Sequence, residues 1–261
     1  MIELTVLGSC GTFPGPNRAC SGYLLTANAD GSKPTHLMID AGSGTLANLQ
    51  KVVSIHELDA IWISHLHMDH CSDIALAYYL SKYAERQRDT RLPVYGPAGW
   101  HDHICRTSMS EDDMSDFFEV HELDDGARVQ VGPLAVTALR TRHSVETFAL
   151  RAYLNGATFA YSADTASTET VASIADSAQL FLCEASVPDH TREFPPNHLT
   201  ATEAGQWARR GGATDLALTH IRPDADYESV IQNAESAFGR QVRLAREGDT
   251  FVVPEHQRPG R

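Results

Sequence analysis

The stretch Ile61-Trp-Ile-Ser-His-Leu-His-Met-Asp-His70 constrains this chain more than any other. It opens as an apolar run of strand type and closes on His65, His67, Asp69 and His70. Residues two apart on an extended chain project to the same side, so His65 and His67 aim at one spot. The next turn aims Asp69 and His70 at a neighbouring spot, just ahead of a helix. Imidazole together with carboxylate suits Zn2+, Mn2+ or Fe2+. Four such groups so close together can seed two metal sites rather than one.

The rest of the composition narrows the setting. At 261 residues the chain can bury a large core as one α/β domain. An apolar content of 42% with 21% charged residues describes a soluble globular protein. No apolar run approaches the length of a bilayer span, and the N-terminus enters a strand without a basic-then-apolar leader. Five scattered cysteines with no CxxC pair fit a reducing cytoplasm better than a disulfide framework. Cys71, beside His70, reads as a packing residue. The net charge of −13 weighs against a large polyanion as partner, since phosphate binding over many nucleotides needs a basic surface. It leaves room for a small phosphate-bearing substrate, because bound cations and a few arginines invert the field locally.

Along the chain, strands are expected at Ile2–Leu7, Ser21–Thr26 and Thr35–Ile39, the last two joined by a turn over Asn28–Ser32. The Gly/Pro-rich segment 8–18 reads as a loop lying over a pocket, with Arg18 as a candidate anion contact. Its glycine spacing and Pro14 and Pro16 exclude a dinucleotide fingerprint. Asp40 ends a strand beside a glycine turn, where it can back a ligand histidine or cap a helix. Helices are expected at Thr45–Val53 and Asp73–Gln87. His101 and His103 come after Pro97 on another helix. Two residues apart they do not share a face, so both are expected in solvent. Strands then dominate from Phe117 to Leu154, with His143 in a connection. A strand over Thr158–Tyr161 runs into Asp164. A further helix is expected over Thr168–Ala175. Leu180–Cys183, Ala201–Arg210 and Leu216–Leu218 read as strand, helix and strand, the last running into His220. Tyr227–Phe238, Val242–Leu244 and Phe251–Val253 close the pattern. With no repeat or linker, residues 1–261 read as one domain, 254–261 being a frayed tail.

His143, Asp164 and His220 thus each come after a strand, and in α/β sheets function gathers at one rim of strand ends. On His65-x-His67-x-Asp69-His70, then His143, then Asp164 in Tyr-Ser-Ala-Asp-Thr, then His220 in Leu-Thr-His, the chain resembles the metallo-β-lactamase-fold hydrolases from Ile2 to about Val253. The resemblance implies an α/β fold, a four-layer αββα sandwich of two mixed sheets, with two divalent metals at one edge. By the same resemblance His65, His67 and His143 bind one metal, Asp69, His70 and His220 bind the other, and Asp164 bridges. Zn2+ is favoured, with Mn2+ or Fe2+ as alternatives.

Leu182-Cys-Glu-Ala185 and, further on, His198-Leu-Thr-Ala-Thr-Glu-Ala204 resemble the ribonuclease Z branch and its phosphodiesterase relatives. That branch pairs a Glu with a His beside the scissile phosphate, which implies that Glu184 orients His198. The tRNA-processing members carry a long arm between the third His and the bridging Asp. Here His143 and Asp164 are only 21 positions apart, with two strands between them. The chain therefore looks more like small bacterial members that hydrolyse cyclic nucleotides or other small phosphodiesters. Glycine is more usual in the family where Asp73, Ala149 and Ala163 stand, and Asp73 adds an acid with no evident role.

The expected reaction is attack of a shared hydroxide on phosphorus, with Asp69 orienting it and His198 donating to the phosphoryl oxygens or the leaving alkoxide. Arg18 and Ser21 are candidate substrate contacts. The alternatives are a tRNA 3′-processing endonuclease, a lactonase or thioesterase of the same fold, and a non-catalytic metal protein. A homodimer is plausible, and no membrane partner is expected.

Overall fold

A computed structural model of the chain describes residues 1–29, 33–85, 88–108, 113–189, 191 and 196–255. The strands are β1 Ile2–Gly8, β2 Gly22–Ala27, β3 Thr35–Ile39, β4 Ala60–Trp62, β5 Leu92–Gly96, β6 Phe118–Glu122, β7 Arg128–Val131, β8 Leu134–Arg140, β9 Phe148–Leu154, β10 Ala157–Tyr161, β11 Leu180–Glu184, β12 Asp215–Thr219, β13 Val242–Leu244 and β14 Thr250–Val253. The helices are α1 Thr45–Leu49, α2 Met68–Cys71, α3 Asp73–Tyr83, α4 Trp100–Thr107, α5 Glu169–Ala175, α6 Ala201–Arg210 and α7 Tyr227–Phe238.

Two seven-stranded sheets form, in the orders β14-β1-β2-β3-β4-β5-β6 and β13-β12-β11-β10-β9-β8-β7. Each is antiparallel on one side and parallel on the other: β3 to β6 run parallel in the first, β10 to β13 in the second. Side-chain alternation along the central strands sorts the layers. From β3, Leu37 and Ile39 enter the core between the sheets while Met38 faces the helices. From β11, Leu180 and Leu182 face inward while Phe181 and Cys183 face the other helices. Leu46 and Leu49 of α1, Ile74 and Tyr78 of α3 and Trp100 and Ile104 of α4 cover the first sheet. Val171 and Ile174 of α5, Ala204 and Ala208 of α6 and Phe238 of α7 cover the second. The architecture is the expected four-layer αββα sandwich.

The elements match the sequence pattern closely, and the departures have local causes. The helix expected over Thr45–Val53 stops at Leu49, because the residues beyond it have little to bury: Lys51 and Val52 are both exposed. A short 3-10 turn at Ile55–Glu57 then forms on a capping box between Ser54 and Glu57. The helix expected over Asp73–Gln87 ends at Tyr83, and 86–87 lie outside the described residues, as do 30–32 of the expected turn and 256–261 of the expected tail. His101 and His103 are not in solvent: both are half-buried on α4, His101 with Nε2 3.2 Å from Asp113 Oδ1 and 3.7 Å from Cys105 Sγ. Asp113, further along the chain, lies against that face. Cys71 is fully buried among the helices of the first sheet, as a packing residue.

Asp73 gains a structural role. Its Oδ2 accepts the amides of Gly44 (3.0 Å) and Leu46 (2.9 Å), which capping-inert Gly44 leaves unsatisfied at the start of α1. Burial raises its pKa, against those hydrogen bonds.

Candidate metal centre

The parallel strands β3, β4, β10, β11 and β12 end at one rim, and the chemistry-bearing side chains leave from those ends. Three of the turns there put a residue other than glycine in the left-handed region: Asp40 after β3 (φ 56°), Ala163 after β10 (φ 49°) and His220 after β12 (φ 52°). Such residues cost of order 1–3 kcal/mol each and persist where the surroundings over-determine them. Gly42 is needed for a different reason: a Cβ there would lie 2.0 Å from the Asp69 carbonyl oxygen.

His65, His67, Asp69 and His70 meet His143, Asp164 and His220 at this rim. His65 Nε2 and His143 Nε2 lie 3.1 and 3.2 Å from His67 Nδ1. Asp164 Oδ2 is 3.5 Å from His65 Nε2, 3.8 Å from His143 Nε2 and 3.5 Å from His220 Nε2. Asp164 Oδ1 is 3.4 Å from His70 Nε2. Asp69 Oδ2 is 3.1 Å from His220 Nε2 and 3.6 Å from His70 Nε2. Three overlapping groups of donor atoms result, His65–His67–His143–Asp164, Asp69–His70–His220 and Asp164–His198–His220, with atoms inside each group no more than 4.8 Å apart. A cation with four ligands at about 2.0–2.1 Å sets neighbouring ligand atoms about 3.3 Å apart. The observed spacings match. His70 Nε2 and Asp164 Oδ1 are buried with no hydrogen-bond partner, a costly arrangement that a cation between them would relieve. The residues therefore fit divalent metal.

Four of the five clustered imidazoles are aimed by the bond their other nitrogen makes, whereas His220 Nδ1 is buried with no hydrogen-bond partner among the described residues. His70 Nδ1–H donates to Asp40 Oδ2 (2.8 Å), which also accepts Tyr161 OH (2.8 Å) and Ser64 Oγ (2.9 Å). Since Ser64 Oγ gives its proton to Asp40, it accepts from His65 Nδ1–H (3.0 Å). His143 Nδ1–H donates to the Asn197 carbonyl (3.0 Å). His67 is turned the other way, its Nε2 3.5 Å from Ser144 Oγ. Asp69 Oδ2 accepts the Thr12 amide (2.8 Å) from the Gly/Pro-rich loop, whose left-handed Thr12 presents that N–H.

Ligation needs neutral imidazole and ionised carboxylate, and all the shifted groups but His70 lean that way; His70 must give up its proton to a bound cation. Burial, then neighbouring imidazoles, pushes His65 and His67 down, and burial pushes His143 down. Burial opposes charge on His70 too, but Asp164 and Asp40 outweigh it and hold that imidazole well above its usual range. Asp69 and Asp164 are buried as well; the imidazoles around them outweigh burial and hold both low.

Glu184, at the end of β11, is fully buried; its Oε1 accepts the Thr165 amide (2.7 Å). Its carboxylate lies 3.1 and 3.2 Å from His198 Nδ1, just ahead of α6, and His198 Nδ1 is 3.8 Å from Asp164 Oδ2. Burial raises the pKa of Glu184 against the pull of His198.

The two candidate substrate contacts stand apart from this cluster. Arg18 donates to the Tyr227 hydroxyl, covers its ring at 5.0 Å and lies 3.9 Å from Glu247. Ser21 is fully buried, and its amide donates to the Asp69 carbonyl (3.1 Å), so it fixes the loop rather than facing a ligand. Ser64, Tyr161, Thr12 and Asn197 went unread in the sequence. Ser64, between the strand and His65, carried a usable signal; the backbone groups of Thr12 and Asn197 carried none.

The profile described as "Beta-lactamase superfamily domain" matches residues 35–221. "Uncharacterized protein Rv1339" of Mycobacterium tuberculosis is 36% identical, over 97% of this chain and 92% of its own. "Probable metallo-hydrolase YhfI" of Bacillus subtilis is 27% identical over 95% and 98%. Its solved structure, titled a metallo-beta-lactamase fold protein, superposes with a TM-score of 0.84 over 96% of this chain and 98% of that one. Ribonuclease Z of Haloarcula marismortui is 25% identical over 95% of each chain. A profile spanning most of the sequence, relatives matched nearly end to end and the sandwich just described agree: the chain belongs to the β-lactamase superfamily and is a hydrolase of the metallo-β-lactamase fold.

Proposed function

We propose that the chain is a dinuclear metal-dependent phosphodiesterase acting on a small substrate, with cyclic nucleotides favoured. The observation that carries this reading is the Glu184–His198 pair set beside the donor cluster. Acyl chemistry has less need of a second acid at that place than phosphodiester hydrolysis, where the added group serves both the phosphoryl oxygens and the departing alkoxide. His65, His67 and His143 would hold one ion, Asp69, His70 and His220 the other, and Asp164 both, with Zn2+ ahead of Mn2+ or Fe2+. Ions held there would supply a Lewis acid for phosphoryl oxygen and would lower the pKa of a bound water from about 16 toward about 7. Asp69, fixed by the Thr12 amide, orients the attacking water. Glu184 keeps His198 protonated and directed, and His198 donates to the phosphoryl oxygens or the leaving group.

The charge of −13 and the short His143–Asp164 interval, filled by β9 and β10, favour a small substrate over a gripped RNA. Five free cysteines support a reducing compartment such as the cytoplasm. Among the described residues no helix is long and apolar enough to cross a membrane. A second reading, RNA 3′-end cleavage, is favoured by the likeness to ribonuclease Z, with a homodimer lending grip.

His198→Ala is expected to keep its metal stoichiometry while losing about 10²–10⁴-fold in turnover of bis(p-nitrophenyl) phosphate. Turnover at the parent rate would refute the assignment. Cyclic AMP, pre-tRNA, a lactone and a thioester, assayed side by side on metal-reconstituted protein, decide the substrate. Activity on the lactone or thioester alone would overturn the phosphodiesterase reading.

A further inference from the structure

A cavity of about 330 Å³ lies behind the metal-centre rim, between the Gly/Pro-rich loop, the start of α7 and the segment joining β13 to β14. Ser9, Arg18, Ile221, Tyr227, Arg246 and Glu247 are among its walls. None of the seven clustered ligand residues lines it. Its size falls at the small end of organic-ligand pockets.

The lining points to one ligand chemistry. It holds two arginines, Arg18 and Arg246, against one acid, Glu247, in a chain whose net charge is −13. Glu247 is already engaged by the Ala19 amide (3.1 Å) and by Arg18 (3.9 Å), while no hydrogen bond or ion pair of the Arg246 guanidinium occurs among the described residues. Beside these polar groups stand the Tyr227 ring, half-buried and already under Arg18, and the Ile221 side chain.

We propose that this cavity is a second binding site, separate from the metal centre, for a small organic oxyanion with a flat apolar body. Arg246 and Arg18 take the phosphate or carboxylate, since guanidinium matches both bidentately. Tyr227 with Ile221 covers the flat part. The site shares backbone with the metal centre. The Ile221 amide donates to the Ser9 carbonyl (3.3 Å), and the Gly11 amide donates to the Ile221 carbonyl (3.3 Å). Ile221 is next in the chain after His220, and Thr12 is next after Gly11. The proposal does not depend on the phosphodiesterase reading, because binding is measured without turnover.

The test is calorimetric titration of the metal-loaded protein with phenyl phosphate, benzoate and phenol, with hydrogen exchange to locate each ligand. Phenyl phosphate or benzoate should bind and slow exchange in segments 8–18 and 242–249; phenol should not bind. Phosphate and carboxylate arms tell the two oxyanion sources apart. Arg246→Ala should weaken that binding by about tenfold or more, which is about 1.4 kcal/mol. Arg246→Lys should recover part of it, and basal turnover should stay within about twofold, as for surface positions away from the reacting groups. Arg246 is exposed, so the variant is expected to fold. Absence of binding by both anions overturns the proposal. So does binding that Arg246→Ala leaves unchanged, or protection confined to the metal-centre segments.

Discussion

His70, in the Asp69–His70–His220 group, gives its Nδ1 proton straight to the Asp40 carboxylate, whereas His65, in the other group, reaches the same carboxylate only through Ser64 Oγ. The remaining imidazoles of the His65 group are backed more weakly still, His143 by a peptide carbonyl and His67 by a hydroxyl 3.5 Å away. A carboxylate behind an imidazole raises its basicity and locks its tautomer, and a neutral group does less of both. One buried acid thus serves both groups unequally. His220 Nδ1 has no partner at all among the described residues, so the advantage of the Asp69–His70–His220 position rests on His70 alone; on that ground it should be the tighter one, filled first and emptied last.

The largest effect is expected where the two groups share a residue. Asp164→Ala removes the carboxylate that faces imidazoles of both. Elemental analysis should show metal lost from both positions, with turnover down by about 10³-fold or more, beyond what a partner behind a ligand costs. Unchanged metal content would break the pairing of the groups altogether.

Asp40→Asn comes next. It should weaken metal at the Asp69–His70–His220 position by about 10–100-fold, read by competition with a chromophoric chelator. An equal loss at both positions would erase the asymmetry. Ser64→Ala should touch only the His65 group, by less than about tenfold, because a neutral relay is all that it removes. The smallest effect lies outside the comparison and serves as its control. Asp73→Ala removes the cap of α1 and should lower unfolding free energy by about 1 kcal/mol in a denaturant titration, with metal affinity untouched.

Much of this arrangement was legible beforehand, and unevenly. The contiguous ligands at 65–70 announced themselves because a strand leading into a turn fixes their directions over a few residues. The central strands were legible because apolar runs and alternation reflect burial on two faces. His143, Asp164 and His220 were weaker: each is an ordinary polar residue after a strand, and only their joint resemblance to a known pattern singled them out. Asp73 showed no role because its partners, the amides at Gly44 and Leu46, lie far away in the chain and leave no mark in side-chain identity. The same holds for Thr12, which acts through its N–H. Arg18 was legible only as a cation in a glycine-rich loop; that Tyr227 and Glu247 hold it, away from the metal centre, was not.

By itself the sequence determined most of the strands and helices and the candidate ligands at 65–70, since periodicity and residue chemistry are local properties of the chain; the two-sheet architecture and the other candidate ligands came through the resemblance to a known family. Only the tertiary structure decided that Asp40 stands behind two histidines, one directly and one through Ser64. It alone set Glu184 against His198 and walled a cavity behind Ile221. These are contacts between segments far apart in the chain, fixed by how the rims of the two sheets meet, and no local pattern encodes such a distance.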